Sequence, residues 1–495
     1  MMLSAGMSTQ AHRAAAPASA SDPEALPWLS ASDLLAGYSS GELSPVTVVD
    51  AVLARIASFD DRLAAFALID AAGARAAAQA SAERWRQGAP AGLLDGVPVS
   101  LKDLLAVAGL PLRRGSRATS EVPSAEDSPA AARLRQHGAV ILGTTATAEF
   151  GLGGHAHGAS GEPTRNPWDP ARTPGGSSSG AVAAVAAGLG PIAVGTDGGG
   201  SIRVPAAYSG VVGFKPSFGR VPHAPASFIG VPAHVGPIAR SVADATLLFS
   251  VLTGPDARDP FHLPRQAEGW HQHLSEPLTG LRIGFTTAPD AAGPRALDPG
   301  TAAAFHEAII VLRSLGARVD EARLGLPEAG PVQRILAAGR AALTIRAFPP
   351  EQRALIGPEV LELARAGESL TAVDYLEAEA ARVSLAEAVA LAHQRFDLLL
   401  TPTAPTSAPL LPTGVPVASG APAKPGWSTP GFASIFSLTR QPAISVPAGR
   451  SPDGLPVGIQ LVGRFGDDAL VLRAAHQFEQ RRGPFARPSL AWLGG

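Results

Sequence analysis

Apolar positions along this chain change their spacing repeatedly, and each change marks a predicted element. Ser44-Pro45 is a good N-cap and first-turn pair, and Val48, Val49, Val52 and Ile56 follow at helical spacing. A second, alanine-rich helix is predicted from about Ala71 to Trp85. Short apolar strands then alternate with helical stretches. GVPVSLKD (96–103) and AVILGTT (139–145) read as strands around a helix at AAARLRQHG (130–138). A helical GAVAAVAAG (180–188) follows, then strands in PIAVGTD (191–197) and GVVGFKP (210–216).

The alternation persists to the end. LRIGF (281–285), a helix around 301–315, ARVDEA (317–322), a long helical region over 328–395 and FDLLLTPTAP (396–405) fit an α/β pattern. Residues 406–430 are rich in Pro, Gly and Ala and read as a surface loop. QPAISVPAG (441–449) and LPVGIQLVG (455–463) read as paired strands, and a last helix falls near 467–481. There is no internal repeat and no linker-like break between 90 and 480. The simplest organisation is a flexible Ala/Ser/Pro-rich leader (1–27), an N-terminal helical arm (28–90) and one large α/β domain (91–490).

Composition narrows the function classes. Of 495 residues, 46% are hydrophobic and 17% charged, which is globular and not disordered. The formal charge is −2 with no basic run, so neither nucleic acid nor an anionic membrane is an expected partner. Cysteine is absent, which removes disulfides, thiolate metal sites and cysteine nucleophiles, and fits a cytoplasmic protein. The longest apolar stretch, GAVAAVAAGLGPIAV (180–194), is too short and too broken by Pro191 to span a bilayer.

The candidate chemistry lies in glycine- and serine-rich turns. In GTDGGGSIRVP (195–205) three glycines precede Ser201. Alone they would most often make a turn, and the nucleotide-binding orders are missing. Upstream, TPGGSSSGAVAAVAAG (173–188) sets glycines and serines at the start of a buried helix, where free N–H groups can serve an anion or a hydroxyl. A helix and a strand fill the interval from Ser177 to Ser201, so both turns can return to one sheet edge. Lys102 closes the strand in GVPVSLKD, and active-site groups gather at strand ends in such folds. A solvated surface lysine is the bland alternative; the apolar strand before it argues against that.

Together these segments resemble the amidase signature family of hydrolases. The resemblance runs through the LKD strand, NPWDPARTPGGSSSG (166–180), GTDGGGSIRVPA (195–206), GVVGFKPSFGRV (210–221), VGPIARSVAD (235–244) and GLPVGIQLVG (454–463). It implies a single large α/β domain with a central mixed β-sheet flanked by helices. It also implies a Ser–cis-Ser–Lys triad: Ser201 as nucleophile, Ser177 as bridge after a cis peptide, and Lys102 as base. Backbone N–H groups of Gly198, Gly199, Gly200 and Ser201 would face the oxyanion, worth roughly 3–4 kcal/mol per donor. Ser178, Asp197 and Arg203 are expected to support the turn. Gly151, Gly153, Gly154 and Thr196 are expected on the substrate side.

The chemistry requires a neutral lysine. Bringing its pKa from about 10.4 to about 7 takes roughly 4–5 kcal/mol of destabilisation of the cation, which burial can supply. His155 and His157 lack further ligands in an arranged pattern, so no metal is expected, and no cofactor either. The expected activity is hydrolysis of linear amides, with esters or carbamates as further candidates, by a monomer or homodimer acting on a small-molecule amide. Specificity falls to 255–435, whose low charge near PTAPTSAPLLPTGVP (402–416) favours an apolar or aryl substrate. Two alternatives remain open: a glutaminase-like subunit of an aminoacyl-tRNA amidotransferase, and a dead site on the same fold.

Overall fold

A computed structural model describes residues 24–157, 161–224, 233–264, 266, 269–411 and 431–493. Most of the expected leader (1–27), residues 412–430 of the expected loop, and 158–160 of the histidine segment lie outside the described residues.

Eleven strands form one mixed sheet. They are β1 (Phe66–Ile69), β2 (Pro98–Lys102), β3 (Val140–Thr145), β4 (Ile192–Asp197), β5 (Val212–Lys215), β6 (His234–Ala239), β7 (Arg282–Phe285), β8 (Arg318–Glu321), β9 (Leu398–Pro402), β10 (Ala443–Arg450) and β11 (Pro456–Gly463). Their spatial order is β1-β3-β2-β4-β6-β5-β10-β11-β9-β7-β8. β2 runs parallel to β3 and to β4, whereas β4, β6, β5, β10, β11 and β9 pair antiparallel in turn. Because β2 and β4 are parallel neighbours, with Leu101 opposite Val194, Lys102 and Asp197 finish at the same sheet edge. β2, β4 and β6 are buried along their whole length, which explains their unbroken apolar runs.

The helices cover both faces. Ser44 accepts the Val46 N–H and Pro45 opens the helix Pro45–Leu63, as its pattern predicts. The wholly buried helix Ser179–Ala186 lies against the sheet beneath the serine turn. Gly180 permits that approach: a Cβ there would stand 2.1 Å from the Ala65 carbonyl oxygen.

Two readings change. The segment 28–90 is not helical throughout, since Phe66–Ile69 is an edge strand antiparallel to β3. Its helices share a core with β3 through Val49, Ile56, Ala74, Val140 and Leu142, so the arm belongs to the same body. The region 328–395 is four helices, Ala329–Arg346, Pro350–Arg353, Pro358–Glu368 and Ala372–Arg395, divided by Pro349-Pro350, Gly357-Pro358 and a capping box at Thr371.

Candidate active site

Three turns converge at the carboxyl ends of β2 and β4. Lys102, wholly buried, places Nζ 2.8 Å from Ser177 Oγ, 3.0 Å from Ser178 Oγ and 3.3 Å from the Thr196 carbonyl oxygen. Ser178 Oγ in turn donates to the Thr196 carbonyl at 3.2 Å. Burial pushes the Lys102 ammonium down to about 7, against the opposing pull of Asp197. The peptide bond between Gly176 and Ser177 is cis.

Ser201 sits between this cluster and the outside. It is half-buried, while Lys102 and Ser177 are sealed. The Ser178 N–H donates to the Ser201 carbonyl at 3.1 Å, joining the two serine turns through the backbone. The Ser201 hydroxyl has no hydrogen-bond partner among the described residues, so the Ser177–Ser201 contact is not closed in this structure. Hydrogen bonds of this kind often tighten only around a substrate.

The glycine turn is held from below by Asp197. Its carboxylate accepts the Gly200 N–H at 2.8 Å and the Ile202 N–H at 3.2 Å, and takes two N–H groups of the buried Arg203 at 2.9 Å. Burial alone would raise this carboxyl; the charge and hydrogen bonds of Arg203 hold it well below the usual range. Arg203 reaches on to Gln460 in β11 at 2.5 Å and to Ser437 at 2.7 Å, and Ser437 also donates to Asp197 at 2.9 Å.

This pairing corrects one expected oxyanion donor. The Gly200 N–H is spent on Asp197, whereas those of Gly198, Gly199 and Ser201 have no acceptor among the described residues. Gly200 serves through its backbone instead: its φ of +119° is one that residues with a Cβ rarely adopt.

Thr196 also moves. Expected on the substrate side, it is 1% exposed and its carbonyl accepts from Lys102. Ser178, expected only to support the turn, is a direct partner of Lys102. Gly151 is buried, Gly153 and Gly154 half-buried, and the Gly154 backbone packs against Gly176, directly beside Ser177. His155 and His157 belong to no metal-binding cluster among the described residues.

Several polar residues near the site gave no signal of their own in the sequence. Lys215 is fully buried, donating to the carbonyls of Pro216 and Gln441, and burial drives its pKa well below the usual lysine value. His234 holds Nδ1 2.9 Å from the Asp197 carbonyl oxygen and is kept neutral chiefly by burial, then by Lys215. Asp103, next to the lysine, accepts the N–H groups of Arg113 and Gly115 at 3.0 Å, and burial raises it to about 7.

Known proteins resemble this chain over most of its length. The Amidase family matches residues 47–472. The chain is 34% identical to an acylamidase of Rhodococcus erythropolis, covering 92% of this chain and 96% of that one. It is 35% identical to one chain of the glutamyl-tRNA(Gln) amidotransferase of Thioalkalivibrio sulfidiphilus (strain HL-EbGR7), over 90% and 96% of the two chains. A bacterial aryl acylamidase of the amidase signature family superimposes with a TM-score of 0.84 at 30% identity, covering 92% of this chain and 96% of its own. No helix among the described residues is long and apolar enough to cross a membrane. The chain therefore belongs to the amidase signature family, hydrolases of carbon–nitrogen bonds other than peptide bonds.

Proposed function

We propose that this protein is a stand-alone amidohydrolase that cleaves linear, apolar or aryl amides through Lys102, Ser177 and Ser201. The observation that carries this reading is the sealed lysine within 3 Å of two serine hydroxyls, with its pKa lowered to about 7. A neutral amine has two N–H donors and one lone pair. Ser178 Oγ and the Thr196 carbonyl take the donors, which leaves the lone pair for the Ser177 proton. Ser177 then accepts the proton of Ser201 as Ser201 Oγ attacks the carbonyl carbon.

The developing oxyanion meets the N–H groups of Gly198, Gly199 and Ser201, which have no acceptor among the described residues. The proton returns through Ser177 to the leaving nitrogen as the C–N bond breaks. Water, activated by the same relay, releases the acid from Ser201. No step requires a metal or cofactor. A small-molecule amide, met in the cytoplasm by a monomer or homodimer, is the substrate class we favour. The likeness to an aryl acylamidase and the low charge of the 402–416 stretch support the aryl preference.

The second reading, a glutaminase-like component of an amidotransferase, is supported by the likeness to the glutamyl-tRNA(Gln) amidotransferase chains. One experiment separates the two: amine release from an anilide, an aliphatic amide, an aryl carbamate and free glutamine, with Ser201→Ala as blank. Serine-dependent release from any of the first three by the protein alone supports the hydrolase. Activity on glutamine alone supports the amidotransferase component, and silence on all four overturns the hydrolase reading.

A further inference from the structure

The glycine turn has a roof built from distant chain. The short helix Ala433–Leu438 sets Ala433 Cβ 2.8 Å from where a Cβ on Gly200 would stand. The helix Ala329–Arg346 brings the Gln333 carboxamide over Gly199: Nε2, Cδ and Oε1 lie 3.1, 3.6 and 4.0 Å from the corresponding Cβ position. Val332 and Leu336 in the same helix pack in a core with Ile435 and Phe436. Gln333 Oε1 is buried and has no hydrogen-bond partner among the described residues. A buried acceptor without a donor is costly and rare, so its retention calls for a reason.

We propose that Gln333 is a specificity-determining residue whose Oε1 accepts the N–H of the scissile amide, selecting N–H amides over esters and N-alkylated amides. The inference rests on Ser201 as the nucleophile. Gly199 offers one of the free N–H groups beside Ser201, so a carbonyl held there carries its nitrogen substituent into the space next to Gly199. Gln333 is the side chain that closes over that glycine. A site that hydrogen-bonds a substrate N–H rejects analogues lacking it, because its buried acceptor is then left unpaired.

The test uses matched probes: 4-nitroacetanilide, its N-methyl derivative and 4-nitrophenyl acetate, with the unmodified protein, Gln333→Met and Gln333→Glu. We expect Gln333→Met to lower kcat/KM for the anilide about 10-fold and for the ester less than about 2-fold, the worth of one neutral hydrogen bond. N-methylation should cost the unmodified protein about the same factor and cost Gln333→Met nothing further. Gln333→Glu keeps acceptor oxygens in place and should retain the anilide preference, including if Gln333→Met fails to fold. Equal losses on anilide and ester, or no loss on either, overturn the role of Gln333 while leaving the hydrolase intact. Absence of turnover of all three probes by the unmodified protein overturns the underlying reading instead.

Discussion

The proposed relay ties rate and stability to one buried amine at Lys102, and replacing that amine should move the two in opposite directions. Its pKa falls from 10.5 to about 7, which corresponds to ~5 kcal/mol of cost for holding the cation in the fold. Only the neutral amine can take the Ser177 proton, so kcat/KM should lose about 10-fold per pH unit on the acid side of about 7. Between about 7 and 10.5 the unfolded chain binds the lysine proton and the native one does not, so this group's cost fades as pH rises through that window. Below about 7 the cost is fully present.

Lys102→Met should therefore abolish turnover and raise stability at neutral pH. Its upper bound is ~5 kcal/mol, reduced because Ser177, Ser178 and Thr196 lose a partner. The assays are kcat/KM for an anilide from about pH 5 to 9, and guanidinium unfolding of both proteins at about pH 7. Asp103 is also raised to about 7, so Asp103→Asn serves as the control and should keep the acid limb. A flat profile down to about pH 5, a limb lost in Asp103→Asn, or a strongly destabilised Lys102→Met would each refute the reasoning.

Ser201→Ala should remove turnover and leave unfolding within about 0.5 kcal/mol, because its hydroxyl is half-buried and has no hydrogen-bond partner among the described residues. Mass spectrometry should show an acyl adduct on Ser201 in the unmodified protein, and an adduct formed at full speed in Ser177→Ala would remove Ser177 from the relay. Asp197→Ala leaves Arg203 charged and sealed, which should cost about 3–5 kcal/mol in a denaturant titration; an unchanged midpoint would mean Arg203 finds another partner. Gly180→Ala forces a Cβ against the Ala65 carbonyl and should cost about 1–3 kcal/mol, with a lower thermal midpoint as the readout.

The residues legible in the sequence are those whose neighbours are local. Lys102 stands out because an apolar strand runs straight into it, and Asp197 and Arg203 because they flank the glycines within one turn. Gln460, Ser437 and Gln333 gave no comparable signal: they meet the turn only through folding, from 130 positions or more along the chain. Phe66–Ile69 is not legible as a strand, because four residues between two helices carry too little period. The breaks in 328–395 stand in the sequence as Pro349-Pro350 and Gly357-Pro358, within a stretch whose apolar content reads as continuous helix. Gly200 fell on the other side: its amide looks free in the sequence, and only the rotamer of Asp197 shows it is spent.

The clasp from Arg203 to Gln460 has a meaning for the order of events in synthesis. A chain grown from its amino terminus makes Lys102, Ser177 and Ser201 in its first half, long before β11 exists. Until β11 and the Ala433–Leu438 helix dock, Arg203 lacks two of its three anchors and the Ser201 turn lacks its roof. Contacts this distant in sequence form late and slowly. A nascent or truncated chain thus carries Lys102, Ser177 and Ser201 without the arrangement that the proposed relay requires, and that arrangement is complete only once the last strands close.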